Sequence, residues 1–138
     1  LYNTATDEIA IAPVYDCGSC LYPQADEAIM RDTIDKQPER DLRTFSIPLS
    51  SIKVNGKKIN YFDFISSLEN ADCNKALKRI LPKINMDAIF RIVDETPFIS
   101  DLQKQFYKTM LRTRKERILD FSMEKLRKRE KAKELDAR

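Results

Sequence analysis

Residues Ile9 to Pro23 read IAIAPVYDCGSCLYP, and the rest of the chain is best understood outward from this stretch. It joins a short apolar strand, a turn at Pro13, a lone carboxylate at Asp16 and a glycine, Gly18, that lets the chain swing away. A strand that ends this way delivers a carboxylate to the mouth of a cleft. Carboxylates so placed hold hard cations such as Mg²⁺, which demand oxygen ligands. Taken as an isolated Tyr-Asp pair, Asp16 also reads as a strand-end carboxylate that caps the following turn.

The extended run, apolar then Pro-x-Tyr-Asp, resembles the metal-binding region of HipA-like serine/threonine kinases. That resemblance implies that Asp16-Cys17-Gly18 corresponds to the Asp-Phe-Gly element of ordinary protein kinases, whose aspartate binds Mg²⁺. Asp16 is then the metal ligand, and Cys17, Gly18 and Ser19 open an activation-type loop. The family's chemistry also needs a phosphate-covering loop, a phosphate-binding lysine and a catalytic loop with an Asp base and a metal-binding Asn. All of these belong upstream of the metal aspartate, and only fifteen residues precede Asp16. The two glycines, Gly18 and Gly56, are far apart, there is no histidine, and the first residue is not Met. The chain therefore reads as the C-terminal part of a larger enzyme, with no catalytic base of its own.

Composition fits one domain. Of 138 residues, 42% are apolar, enough for a core, and 34% are charged. The net charge of +3 is uneven: residues 112–138 carry +5 and residues 1–111 carry −2. Cys17, Cys20 and Cys73 make an odd count, which argues against a disulfide framework. Cys17 and Cys20 have the spacing of a zinc or redox pair. Zinc needs about four ligands and only one further thiol is present, and Leu21-Tyr22-Pro23 is no helix start, so ordinary buried or loop cysteines are the better reading. No apolar run is long enough to span a membrane and no signal peptide is visible, so the cytoplasm is the expected location.

The organisation changes near Tyr61. Residues 1–23 form the metal-binding strand and loop. Leu1 to Asn3 and Glu8 to Ala12 are expected to pair across the polar cluster Asn3-Thr4-Ala5-Thr6. Residues 24–60 are the activation-type loop and a hairpin. Within it, Gln24 to Arg43 is polar, with a short helix expected around Asp26 to Asp32 and the remainder expected to be exposed and mobile with few apolar anchors. Ser19, Thr33, Thr44 and Ser46 are hydroxyls where added phosphate could order such a loop, although plain loop hydroxyls is the preferred reading. Asn55-Gly56 suits a two-residue type I′ turn, flanked by Ile52, Val54 and Ile59.

Residues 61–138 form the helical body. Phe62, Ile65 and Leu68 recur at helical spacing, and a second helix opens at Ala71 or Asp72 and ends or bends at Pro82. Asn85 caps a third. Ser100 caps a long one that reaches toward Leu135, docked through Leu102, Phe106, Met110, Ile118 and Phe121. The expected fold is mainly α: the helical C-lobe of a protein-kinase-like fold with a small β-hairpin region at its N-terminal side.

Lys125, Arg127, Lys128, Arg129, Lys131 and Lys133 form a basic surface that suits phosphate or an acidic partner. Interleaved acids at helical spacing make a solvated helix end the better reading. Two functional readings remain open. In the first, the intact parent moves the γ-phosphate of ATP to Ser or Thr hydroxyls, with Mg²⁺ and ATP as cofactors that this piece alone does not bind tightly. Its partners are the missing N-terminal part of the same kinase, a protein substrate and, as the resemblance implies for toxin–antitoxin systems, an antitoxin-type protein. In the second, the chain is a non-catalytic helical interaction or nucleic-acid-binding module that works through the basic last helix. At most weak, non-specific nucleic-acid binding is expected, and no membrane partner.

Overall fold

The computed structural model describes residues 2–9, 20–47 and 50–137. At the start, strands β1 (Tyr2–Asn3) and β2 (Glu8–Ile9) pair antiparallel, with Tyr2 opposite Ile9 and Asn3 opposite Glu8. The expected hairpin is present over these residues. A second hairpin pairs β3 (Lys53–Val54) with β4 (Lys57–Lys58). Its turn residues Asn55 and Gly56 have φ of 51° and 78°, the left-handed pair that a type I′ turn requires.

The remainder is helical, and side-chain caps set its boundaries. Asp26 accepts from the Ile29 amide at 2.8 Å and starts α1 (Glu27–Asp35). Asn60 starts α3 (Tyr61–Ser67), Asn70 starts α4 (Ala71–Ile80) and Asn85 starts α5 (Met86–Glu95), each accepting from the amide three residues on. Each such cap is worth roughly 1 kcal/mol against alanine. Ser100 and Gln103 form a reciprocal capping box at the start of α6 (Asp101–Arg114). Pro82 ends α4 as expected, in a 3₁₀ turn over Leu81–Lys83.

Two regions depart from the sequence reading. In the polar stretch from Gln24 to Arg43, the short helix expected around Asp26 to Asp32 is present as α1, but the remainder, expected to be exposed and mobile with few anchors, folds into α2 (Gln37–Asp41) and the start of a π-turn, Leu42–Ser46. Met30 and Thr33 anchor α1 in the core, 3% and 0% exposed. Met30 packs on α6 with Leu21, Tyr22, Ala25 and Ile34 against the same cluster, while charged pairs such as Arg31–Glu27 and Lys36–Asp32 stand on the solvent side. Arg40 then donates to the Ile34 carbonyl at the end of α1, supplying an orphan carbonyl with a partner. Thr33 and Thr44, two of the candidate phosphate acceptors, are buried, with hydroxyls donating at 2.7 Å to Ile29 and Arg40 carbonyls one turn back.

The second departure is the inward face of the last helix. The chain stays helical from Asp101 to Asp136, but Lys115–Asp120 is a π-turn between α6 and α7 (Phe121–Asp136). A π-turn accommodates one extra residue and so rotates the helix beyond it by about 100°. Phe106 and Met110 are fully buried before it. Beyond it the inward positions are Ile118, Ser122, Met123 and Leu126, whereas Phe121, expected to dock, is 48% exposed. Phe121 instead rests against Phe62, ring centroids 5.5 Å apart, and Phe62 meets Phe45 at 5.0 Å.

Core packing is set by these faces. Met30 of α1 with Phe106 and Met110 of α6 forms one cluster, flanked by Leu21, Tyr22, Ile34 and Leu102. Leu68 and Leu77 are buried, as are Met123 and Leu126 of α7, the helix against which α3 and α4 pack. Leu68 occupies the left-handed C-cap of α3 with φ 60°, a position usually given to glycine, and is 2% exposed. Its carbonyl accepts from Asn74 Nδ2 at 2.9 Å, which ties α3 to α4.

Candidate functional site

Asp16, Cys17, Gly18 and Ser19 lie outside the described residues, as does Tyr15. The site can therefore be built from the point where the chain leaves that segment. Among the described residues no group of three or more His, Cys, Asp or Glu side chains is placed to share a metal ion.

The exit from the segment is held by a side chain from the far end of the sequence. Arg114, in the last turn of α6, donates from Nη1 to the Cys20 carbonyl at 2.9 Å and from Nη2 to the Tyr22 hydroxyl at 3.2 Å. Its guanidinium also lies over the Tyr22 ring, 5.4 Å from the centroid. The Tyr22 hydroxyl in turn donates toward the Arg43 carbonyl at 2.8 Å, with the Ile47 carbonyl beside it as a second acceptor. One guanidinium and one phenol thus join the loop exit, the first π-turn and α6. Tyr22 has φ 56°, a conformation that costs a non-glycine residue of order 1 kcal/mol or more and needs such surroundings to persist. Burial pushes its pKa above the usual tyrosine value, although Arg114 and Arg43 work in the other direction.

Sequence reading did not find Arg114 or Tyr22. Arg114 sits in a mainly basic run, Arg112 to Arg117, and looks like surface decoration. Its partners are 92 and 94 residues away, and no local pattern marks a contact at that separation.

Next to this junction lies an apolar groove of about 660 Å³. Its lining includes Ile65 of α3, Met86 and Ile89 of α5, Leu111 of α6, Ile118 and Cys20. Cys20 is exposed; Cys73 is half-buried, with burial pushing its thiol pKa up. Both are free thiols; the pairing of Cys20 with Cys17 lies outside the described residues.

The basic surface on α7 is partly engaged within the chain. Lys125 donates to the Ser66 carbonyl at 2.8 Å, and Lys128 pairs with Glu124 at 2.6 Å. The hydrogen bond and charge of Lys128 hold the Glu124 carboxyl below its usual range. Glu130 pairs with Lys78 of α4 at 2.5 Å. Arg127, Lys131 and Lys133 are exposed and Arg129 is half-exposed, on a helix with almost no apolar side beyond Leu126. This is a solvated helix end, in keeping with the interleaved charges. No helix among the described residues is long and apolar enough to cross a membrane.

Comparison with known proteins gives the fold a context. No family model matches the chain. The chain is 47% identical over 114 residues to serine/threonine-protein kinase CtkA of Helicobacter pylori (strain J99 / ATCC 700824), an alignment covering 82% of this chain and 35% of that protein. It also superposes on the crystal structure of a Helicobacter pylori proinflammatory kinase CtkA with a TM-score of 0.77 and 45% identity, over 83% of this chain and 39% of that one. The helical body with its small hairpins is thus a kinase-like C-terminal fold. The chain spans little more than a third of the length of the relatives it matches.

Proposed function

We propose that this chain is the C-terminal part of a HipA-like serine/threonine protein kinase domain, which moves the γ-phosphate of ATP to protein hydroxyls. The observation that carries the reading is the 47% identity to a serine/threonine kinase across four-fifths of the chain. The Ile9–Pro23 run supports it independently, because it has the residue order of the family's metal-binding segment.

In this reading Asp16 would contribute one carboxylate to Mg²⁺, which would supply charge neutralisation to the transferred phosphoryl group. Cys17, Gly18 and Ser19 begin the loop that shapes substrate access. The base, the phosphate lysine and the second metal ligand come from the upstream part of the same polypeptide. Arg114 and Tyr22 hold the loop's exit to the helical body. An antitoxin-type protein is a proposed regulatory partner, and the cytoplasm the proposed location.

The test is Asp16→Asn in the polypeptide that carries the upstream part. The side chains are nearly isosteric, so folding should be unchanged. Phosphoryl transfer should drop by roughly 10²–10³, the usual consequence of losing one such electrostatic contact. Wild-type turnover in the folded variant would make Asp16 a turn cap. The nucleic-acid reading gains little support, since part of the basic surface is engaged within the chain.

A further inference from the structure

We infer that the β3–β4 hairpin docks an extended acidic segment of a partner polypeptide through Lys53, Lys57 and Lys58. All three lysines are exposed, and none takes part in an ion pair among the described residues. The register sets Lys53 directly opposite Lys58, and Lys57 opposite Val54. One step further along, the Ile59 amide donates to the Ile52 carbonyl at 3.1 Å. Hydrogen-bonded and non-hydrogen-bonded pairs alternate along an antiparallel ladder. Lys53 and Lys58 are therefore a non-hydrogen-bonded pair, the closer kind, with Cα atoms about 4.5 Å apart. Like charges directly opposite each other destabilise a strand pair. The hairpin thus carries a repulsion that an anion between the two ammonium groups would relieve.

The lysines stand on a fixed frame. At its base Ser50 is 1% exposed, and its Oγ accepts from the Ile52 amide at 2.9 Å. At its other base Asn60 caps α3. The Asn55-Gly56 turn closes the tip. A frame ordered in advance lowers the entropy cost of binding.

Two observations point to the occupant. The sheet has only two strands, so each keeps an outer edge whose amides and carbonyls suit an extended polypeptide. Alternate side chains of such a segment fall on one face, so acids at every second position reach the face shared by Lys53 and Lys58. The cationic footprint is also small. Its three lysines belong to a stretch, residues 1–111, that carries −2 overall. Strongly salt-dependent DNA binding engages roughly 6–10 phosphates. Three cations on an acidic background match a few carboxylates better than a duplex.

The experiment is fluorescence anisotropy on the 138-residue chain with a labelled Glu-Thr repeat peptide, and with the same peptide carrying Gln for Glu. We expect the Glu peptide to bind, the Gln peptide not to, and binding to weaken as salt screens the charges. Lys53→Glu and Lys58→Glu should each weaken it by about tenfold, since attraction at contact distance becomes repulsion. Lys83→Glu makes the same charge change at an exposed site away from the hairpin and should leave binding unchanged. Lys53→Glu should hold or raise the melting temperature, because an opposite-charge pair replaces a like-charge one.

Equal binding of the Glu and Gln peptides would overturn the inference, as would equal losses from Lys83→Glu and Lys53→Glu. A lower melting temperature in Lys53→Glu would make that lysine structural and overturn it too. Lysines also guard open strand edges against pairing, and no measurable binding would leave them with that role alone. Tighter binding of a single-stranded oligonucleotide, or of vesicles of phosphatidylcholine and phosphatidylserine, lost in the same variants, would assign the tip to nucleic acid or lipid instead. Binding is read without phosphoryl transfer, so this inference stands or falls apart from the kinase reading.

Discussion

Arg114 and Tyr22 show how much a single contact can organise when its partners lie far apart in sequence. The Tyr22 hydroxyl serves a guanidinium and a backbone carbonyl at once. Tyr22→Phe leaves both partners short of a hydrogen bond and should cost roughly 1–3 kcal/mol in denaturant unfolding. The substitution also has a pH signature. Burial favours the neutral phenol in the folded chain, so the proton is held there above the pH at which the unfolded chain releases it. Stability from this group is therefore full below the ordinary value of 10.0 and declines as pH rises through the raised folded value. Tyr22→Phe should remove that part of the alkaline decline. Identical alkaline slopes in the two proteins would assign the decline to other groups. Phe106 is a simpler case. It is fully buried between α1 and α6, so Phe106→Ala should cost about 3–5 kcal/mol. A loss below about 1 kcal/mol would show that the site collapses around the smaller side chain.

Among the elements, the long C-terminal helix divides into two halves with different work. The half up to Leu126 is docked, through Met110, Ile118, Met123 and Leu126. The last turns carry Leu135 at 71% exposure and charges held by exposed pairs. Surface pairs of this kind contribute roughly 0–1 kcal/mol each. Deleting residues 128–138 should therefore move the melting temperature by no more than a few degrees, even though it removes the Glu130 partner of Lys78. A large fall would mean that the tail packs on something other than water. The π-turn at Lys115–Asp120 is what lets one helix serve two faces. It keeps Phe106 and Met110 against α1 and turns Leu126 toward α3 and α4.

At the scale of the whole molecule, the proposed kinase reading assigns one metal carboxylate, Asp16, to this chain and the base, the phosphate lysine and the second metal ligand to the upstream part of the polypeptide. The 138-residue protein alone should transfer no phosphate from labelled ATP to itself or to a protein substrate. Clear labelling would require those groups to be found within this chain. The same protein should bind nucleic acid weakly at most. A nanomolar, sequence-selective complex at physiological salt, with a log–log salt slope of several units and lost on removal of residues 128–138, would favour the binding-module reading.

Local chemistry was enough to read much of this fold from residues alone. Asn55-Gly56 specified its hairpin because few other pairs tolerate positive φ at both positions. Asn85 and Ser100 marked helix starts because a short side-chain oxygen can satisfy an orphan amide. Pro82 marked a helix end for want of an amide hydrogen. The order of residues in Ile9–Pro23 suggested a metal segment, most of which lies outside the described residues. Tertiary structure alone decided the rest. Met30 could anchor a polar stretch only once α6 lay beside it. Phe121 lost its inward place to Ser122 and Leu126 because one extra residue in a π-turn rotated the helix, a change that apolar periodicity does not encode. Arg114 met Cys20 and Tyr22 across more than ninety residues. Caps and turns act over three or four residues, where sequence spacing is distance; packing acts between segments whose separation in sequence says nothing of their separation in space.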